Sequence, residues 1–261
     1  MKYLLIIATV LIFITSCKTV PVTGRKQLNL VPDAMIKALA LTEYDSVVKH
    51  SATLSQNDER AAMVTTVGTK IQHAVEAYMQ QNNMSKDIKK FAWEFNTINA
   101  WCMPGGKVVV YTGLLPITQN ETALAIVMGH EIAHAIARHG NERMSQGLLI
   151  NLGGIVLQEA LKEKKQETQA LFLGLYMVGS NLGLALPNSR MQESEADKLG
   201  LIFAAMAGYN PEEAIPFWQR MASINKNKMP QFLSTHPSDE TRIKKLSALI
   251  PEIKSKYFVQ Q

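Results

Sequence analysis

The pentapeptide His130-Glu131-Ile132-Ala133-His134 constrains this chain more than any other feature, because it dictates a local conformation and a chemistry together. In a helix, residues four apart lie only ~40° from one another around the axis, so both imidazoles leave the same face. Glu131 lies ~60° from His134 on that wheel, near enough to a shared metal to act on a water without being a ligand. The flanks read as one amphipathic helix from about Asn120 to His139. Ala123, Leu124, Ile126, Val127, Ile132, Ala133 and Ile136 recur with helical spacing, Asn120 is placed to cap the start, and Gly140 is placed to stop it.

A catalytic zinc site needs a third protein ligand, with the fourth position left to water. A continuation of the form His-x-x-Gly-x-x-His is excluded, since Ala137 stands at its glycine position and Gly140 at its histidine position. His139 falls ~180° from His130 on the wheel and is expected to face solvent, where the helix dipole favours a cation. The other solution takes a glutamate from a second helix. Glu193-Ser194-Glu195-Ala196-Asp197 is followed by Leu199, Leu201, Ile202 and Phe203 in helical spacing. Glu193 and Asp197 share a face, while Glu195 points away and is expected to be solvated or paired. Glu193 is therefore the expected ligand. Asp197 is the expected acceptor for the other ring N–H of a ligating histidine, fixing its tautomer.

The first sixteen residues read as an export signal, with Lys2 basic and Tyr3 to Ile14 nearly all apolar. The sequence Ile14-Thr15-Ser16-Cys17 looks like a bacterial lipobox, in which Cys17 carries lipid and becomes the mature N-terminus. An uncleaved anchor helix is the competing reading, for which the apolar stretch is short. Loss of Lys2 with the leader lowers the formal charge of +5 to +4, too modest to suggest nucleic acid. Cys102 is then left without a thiol partner, so no disulfide is expected and the core must supply stability. A composition 47% hydrophobic can bury one.

Val20 to Val31 reads as an extended tether, giving a leader 1–16, a tether 17–32, one catalytic domain 33–255 and a tail 256–261. Helices are expected over Asp33 to Lys49 and Asn57 to Gln80, the second starting near Ser55 and burying Val64, Val67, Ile71, Val75 and Tyr78. Phe91 to Phe95 alternates and Lys107 to Thr112 is β-branched, with Pro104-Gly105-Gly106 between them, which predicts a small antiparallel sheet. Ala170 to Leu186 carries no charge, but its glycines argue against a membrane span and for helices over the active site or a mobile lid. The fold class is α+β, mainly helical.

These residues resemble peptidase family 48, the HtpX-like and CAAX-prenyl-protease-like zinc metallopeptidases of the gluzincin type. The match runs through His130-Glu131-x-x-His134, Glu193-x-Glu195-Ala196-Asp197, and Thr235-His236-Pro237 with Arg242 following. Asn99-Ala100 and Pro104-Gly105-Gly106 are similar to the family's substrate-binding edge-strand region. Pro21-Val22-Thr23-Gly24-Arg25 is similar to the leading segment of its exported lipoprotein members. The resemblance implies a zincin-like domain with one zinc ion and a site in which Arg242 supports the ligands. It also implies that His236 lies near the metal, stabilising an oxyanion or occupying the open position in a latent state. A plain turn histidine before the last helix is the alternative.

The expected function is that of a membrane-tethered zinc endopeptidase. His130, His134 and Glu193 bind the ion, Glu131 serves as general base and acid, and Asn99 with the following strand orients the peptide. The resemblance implies unfolded or misassembled exported proteins as substrates, and a periplasmic, lipid-anchored location. Lys18 after Cys17 is compatible with the outer membrane. The competing function is a zinc-containing chaperone or assembly factor that holds unfolded chains without cutting them.

Overall fold

The computed structural model describes residues 17–20, 23–51, 54–55, 57–89, 91–98, 101–103, 106–224, 236 and 240–258. The leader, the end of the tail, and Asn99, Ala100, Pro104 and Gly105 of the substrate region lie outside them, as do Pro21, Val22, Thr235 and Pro237. The chain runs β1 (Cys17–Thr19), β2 (Lys26–Leu28), α1 (Asp33–His50), α2 (Glu59–Gln81), β3 (Glu94–Ile98), β4 (Trp101–Met103) and β5 (Lys107–Tyr111). It continues with a single helical turn at Leu115–Thr118 and then α3 (Glu121–Ile136), α4 (His139–Leu161) and α5 (Gln166–Ser180). A π-helical turn at Asn181–Ala185 leads into α6 (Leu186–Met206), followed by α7 (Ala214–Ala222) and α8 (Glu240–Tyr257). The expected mainly helical α+β class holds.

The chain forms two compact units, one built from the segment up to Ile36 with Arg138–Gln192, the other from Lys37–Ala137 with Glu193–Gln261. In the first unit the expected tether is extended but not loose. It folds back as an antiparallel ribbon with Cys17 opposite Leu28 and Thr19 opposite Lys26. Gly24 makes the reversal at φ 68°, a conformation that favours glycine. The ribbon is fastened to the start of α4. Arg25 donates from Nη1 and Nη2 to the two carboxylate oxygens of Glu142 at 2.6 and 2.8 Å, and the Leu30 N–H donates to Ser145 Oγ at 2.8 Å.

In the second unit α2 begins one turn later than Ser55 suggests, because Asp58 is the cap and accepts from the Arg60 N–H at 2.9 Å. Its stripe of Val64, Val67, Ile71, Val75 and Tyr78 is buried as expected. The strands differ from expectation. β3 lies at Glu94–Ile98, later than the alternating run, and Trp101–Met103 adds a strand. The order is β3-β5-β4, with β5 antiparallel to β4 but parallel to β3. The hairpin through Gly106 uses one edge of β5, so β3 has only the other edge to join. Gly106 permits that turn at φ 92°, and its carbonyl accepts the Glu94 N–H at 3.0 Å.

Candidate metal centre

Helix α3 carries the pentapeptide and, where an amphipathic helix is expected, is buried on every side, with each residue from Ala123 to Ile136 buried. A helix of that composition is stable only inside a core. The Asn120 side chain caps it, accepting the Ala123 N–H at 2.8 Å. It stops before Gly140: Arg138 turns left-handed at φ 59°, and His139 opens the next helix. His139 is therefore not the solvent-facing end of the metal helix. It is fully buried.

The second carboxylate-bearing helix can approach α3 because glycine faces glycine. A Cβ on Gly129 would meet the Gly200 carbonyl oxygen at 2.7 Å, and one on Gly200 would meet the His130 backbone nitrogen at 2.6 Å. Neither contact is tolerable. The close crossing brings the face of α6 that carries Glu193 and Asp197 against His130 and His134. Glu195, on another face, is buried, and of the two expected outcomes it is paired and not solvated.

The donor atoms converge. His130 Nε2 lies 3.1 Å from His134 Nε2 and 3.3 Å from Glu193 Oε2, and His134 Nε2 lies 3.3 Å from Glu193 Oε1. His236 joins them, with Nδ1 at 2.8 Å from Glu193 Oε2 and 3.2 Å from His130 Nε2. These four residues place ligand atoms within 4.8 Å of one another. Zinc–nitrogen bonds of about 2.0–2.1 Å in a tetrahedron put neighbouring donors roughly 3.3 Å apart, so the separations suit that ion. Imidazole nitrogens this close need a proton or a cation between them.

Support for the donors comes from a buried ion pair. Asp197 Oδ1 lies 3.0 Å from His130 Nδ1, which turns Nε2 toward the other donors. Arg242 holds Asp197 in a two-pronged grip, Nε to Oδ2 at 2.9 Å and Nη2 to Oδ1 at 2.6 Å. Its guanidinium lies 3.6 Å from the ring centre of Trp218, to which no sequence pattern points. The amphipathic spacing of α7 marks Trp218 only as core.

The electrostatics favour a positive charge among the donors. Burial works against charging His130, but Asp197 and Glu193 outweigh it and carry the imidazole up to about 9. Burial would also raise Glu193, yet hydrogen bonds from His130, His134 and His236 hold it far below the usual carboxylate range. Asp197 is likewise lowered against its burial, first by the Arg242 charge. Beside these groups Glu131 is buried, and its Oε1 has no hydrogen-bond partner although His236 Nε2 is 3.2 Å away. A buried carboxylate oxygen that faces a donor cluster without a hydrogen bond is costly unless the site uses it.

The profile of peptidase family M48 matches residues 66–250. The chain belongs to that family. The mitochondrial metalloendopeptidase OMA1 of Schizosaccharomyces pombe is 31% identical over 251 residues, covering 94% of this chain and 69% of that protein. Its human counterpart is 31% identical over 262 residues, covering 93% of this chain and 48% of the relative. The beta-barrel assembly-enhancing protease of Yersinia pestis is 31% identical over 151 residues, covering 56% and 31%. The chain thus spans from about a third to about two thirds of these relatives' lengths. M48 peptidases use zinc, and the His, His, Glu donor set here fits it.

Proposed function

We propose that this M48 chain is a membrane-tethered zinc endopeptidase that cleaves unfolded or misassembled proteins of the bacterial envelope. The observation that carries the reading is the buried Glu131 carboxylate, its Oε1 without a hydrogen bond and 3.2 Å from His236 Nε2, beside the convergent donors of His130, His134 and Glu193. Those three residues would hold the ion, with Asp197 and Arg242 fixing the His130 tautomer. Zinc held there would supply a Lewis acid that polarises a carbonyl and lowers the pKa of water. Glu131 takes the proton from the attacking water and returns it to the leaving amine, a role worth about 10²–10⁴-fold. His236, once displaced from Glu193, is placed to donate to the developing oxyanion.

The envelope location is supported by the apolar run Tyr3 to Ile14 and the small residue before Cys17. The relative named for β-barrel assembly agrees with that setting. The test follows casein cleavage by the purified full chain with and without chelator, beside Glu131→Gln. Loss of cleavage in both, with fold and zinc content retained in the variant, is the expected result. Retained cleavage in Glu131→Gln overturns the mechanism.

One observation favours a second reading, in which the chain binds unfolded polypeptide and is held latent. His236 Nδ1 sits 2.8 Å from Glu193, where it would compete with a water or substrate for an ion held by the donors. His236→Ala separates the two: higher activity marks a latent site, lower activity marks an oxyanion donor.

A further inference from the structure

The first unit holds a helical hairpin, α4 with α5, in which no residue from 147 to 191 is buried. Many of its exposed side chains are apolar. Leu148, Leu152, Ile155 and Val156 of α4 range from 47% to 69% exposed, and Leu171, Leu175, Val178 and Leu182 of the second arm from 56% to 63%. On each helix these positions follow a three-to-four residue spacing, so each arm presents its most exposed apolar side chains along one face, while Phe172 and Met177 of α5, 47% and 46% exposed, lie on other faces. The arms touch each other, with Tyr176 lying over Gly153 and donating to the Ile150 carbonyl at 2.9 Å. That contact buries little, and a solvent-facing apolar surface of this extent marks something that covers it.

The sequence of the hairpin narrows what that is. No Asp, Glu, Lys or Arg occurs from 144 to 158 or from 168 to 189, and charges crowd the tip between Glu159 and Glu167. The helical run Gln166–Met206 includes a window long and apolar enough to cross a membrane, none of it buried. The α4 arm is shorter. Its charge-free stretch of about fifteen residues spans only ~22 Å, less than the ~30 Å of a bilayer's hydrocarbon, and the charged tip opposes full crossing. A charged tip and a most exposed apolar face on each arm suit a hairpin lying in the interface, that face among the acyl chains.

The place of the hairpin selects a bilayer over other occupants. The ribbon that begins at Cys17 belongs to the same compact unit. Arg25 and Glu142, Leu30 and Ser145, and the Asn141 side chain with the Val31 carbonyl at 2.8 Å pin it to the first turns of α4. A tether leaving from Cys17 brings the hairpin to the surface that holds it.

We propose that the α4–α5 hairpin is a second membrane contact, lying with its apolar stripes in the bilayer that anchors the N-terminus. The proposal rests on the tethered reading for its choice of occupant, and its failure is separable from failure of that reading. The full chain, with Cys102→Ala, is labelled on a thiol at Val156→Cys, Leu175→Cys or, as a control on the exposed face of α2, Thr66→Cys. It is then reconstituted in phosphatidylethanolamine and phosphatidylglycerol vesicles with brominated acyl chains. The hairpin labels are expected to be quenched roughly threefold more than the control and to lose access to iodide, as a depth of about 5–10 Å requires. Leu152→Lys, which changes an exposed side chain, should return the label at 156 to the control value.

Hairpin labels that remain open to iodide overturn the proposal. So do labels shielded from iodide without bromolipid quenching, because protein then covers the stripes, and a dependence on protein concentration would identify a second copy. Mass analysis of the mature N-terminus reads the anchor by itself. Lipid on Cys17 with water-exposed hairpin labels overturns the hairpin contact and keeps the anchor. Quenched labels on a chain without lipid keep the contact and overturn the lipidation.

Discussion

Helix α3 and the α4–α5 hairpin are both helical and both rich in apolar side chains, but their burial is opposite. Every residue from Ala123 to Ile136 is buried, whereas none from 147 to 191 is. Apolar composition alone therefore does not make a core helix. In α3 small residues at Ala123, Ala125, Gly129 and Ala133 let neighbours approach, and Gly200 meets Gly129 backbone to backbone. The buried polar side chains of α3 are tolerable because Glu193, Asp197 and Arg242 meet His130 and His134. The hairpin has glycines as well, but at Gly174, Gly179 and Gly183 no atom lies where a Cβ would be met.

The comparison is sharpened most by truncating one leucine in each region. Leu124→Ala empties a fully buried position and should cost about 2–5 kcal/mol in denaturant unfolding. A cost near zero there would erase the contrast. Gly200→Ala should come next, at about 1–3 kcal/mol, since the added methyl must displace the His130 backbone. Zinc titration of the same variant should show weakened binding, because the crossing is what brings Glu193 to the histidines. Asp197→Asn should weaken zinc by about 10–100-fold, measured against a competing chelator on the folded fraction. Unchanged affinity would mean that the tautomer of His130 is held by something other than Asp197. Leu175→Ala should be smallest, within about 0.5 kcal/mol for the protein in detergent-free buffer. A cost like that of Leu124→Ala would show that the hairpin arm is covered in solution.

Much of the site was legible in the sequence because its parts are local. The spacing of His130 and His134 needs only a helix, and so does the shared face of Glu193 and Asp197. The buried stripe of α2 was legible for the same reason. The misreadings arose where one residue's backbone or a distant partner decides. Arg138 in the left-handed region ends the metal helix, so the wheel that placed His139 in solvent no longer applied. The strand at Trp101–Met103 has too short a run to show a period, and the pairing of β3 with β5 depends on which edge the hairpin leaves open. The extended tether proves to be a ribbon pinned to α4, which nothing local reveals, because Glu142, far along the chain, receives Arg25.

By itself the sequence determined a helix with two imidazoles and a carboxylate on neighbouring positions, and a second helix with two carboxylates one turn apart. Periodicity of 3.6 residues is enough for that. Only the tertiary structure decided that Gly129 and Gly200 let those helices meet, that Arg242 grips Asp197 while stacking on Trp218, and that His236 stands among the donors. It also decided that a charge-free hairpin stays outside any core. These outcomes depend on close packing between segments distant in sequence, which no local pattern encodes.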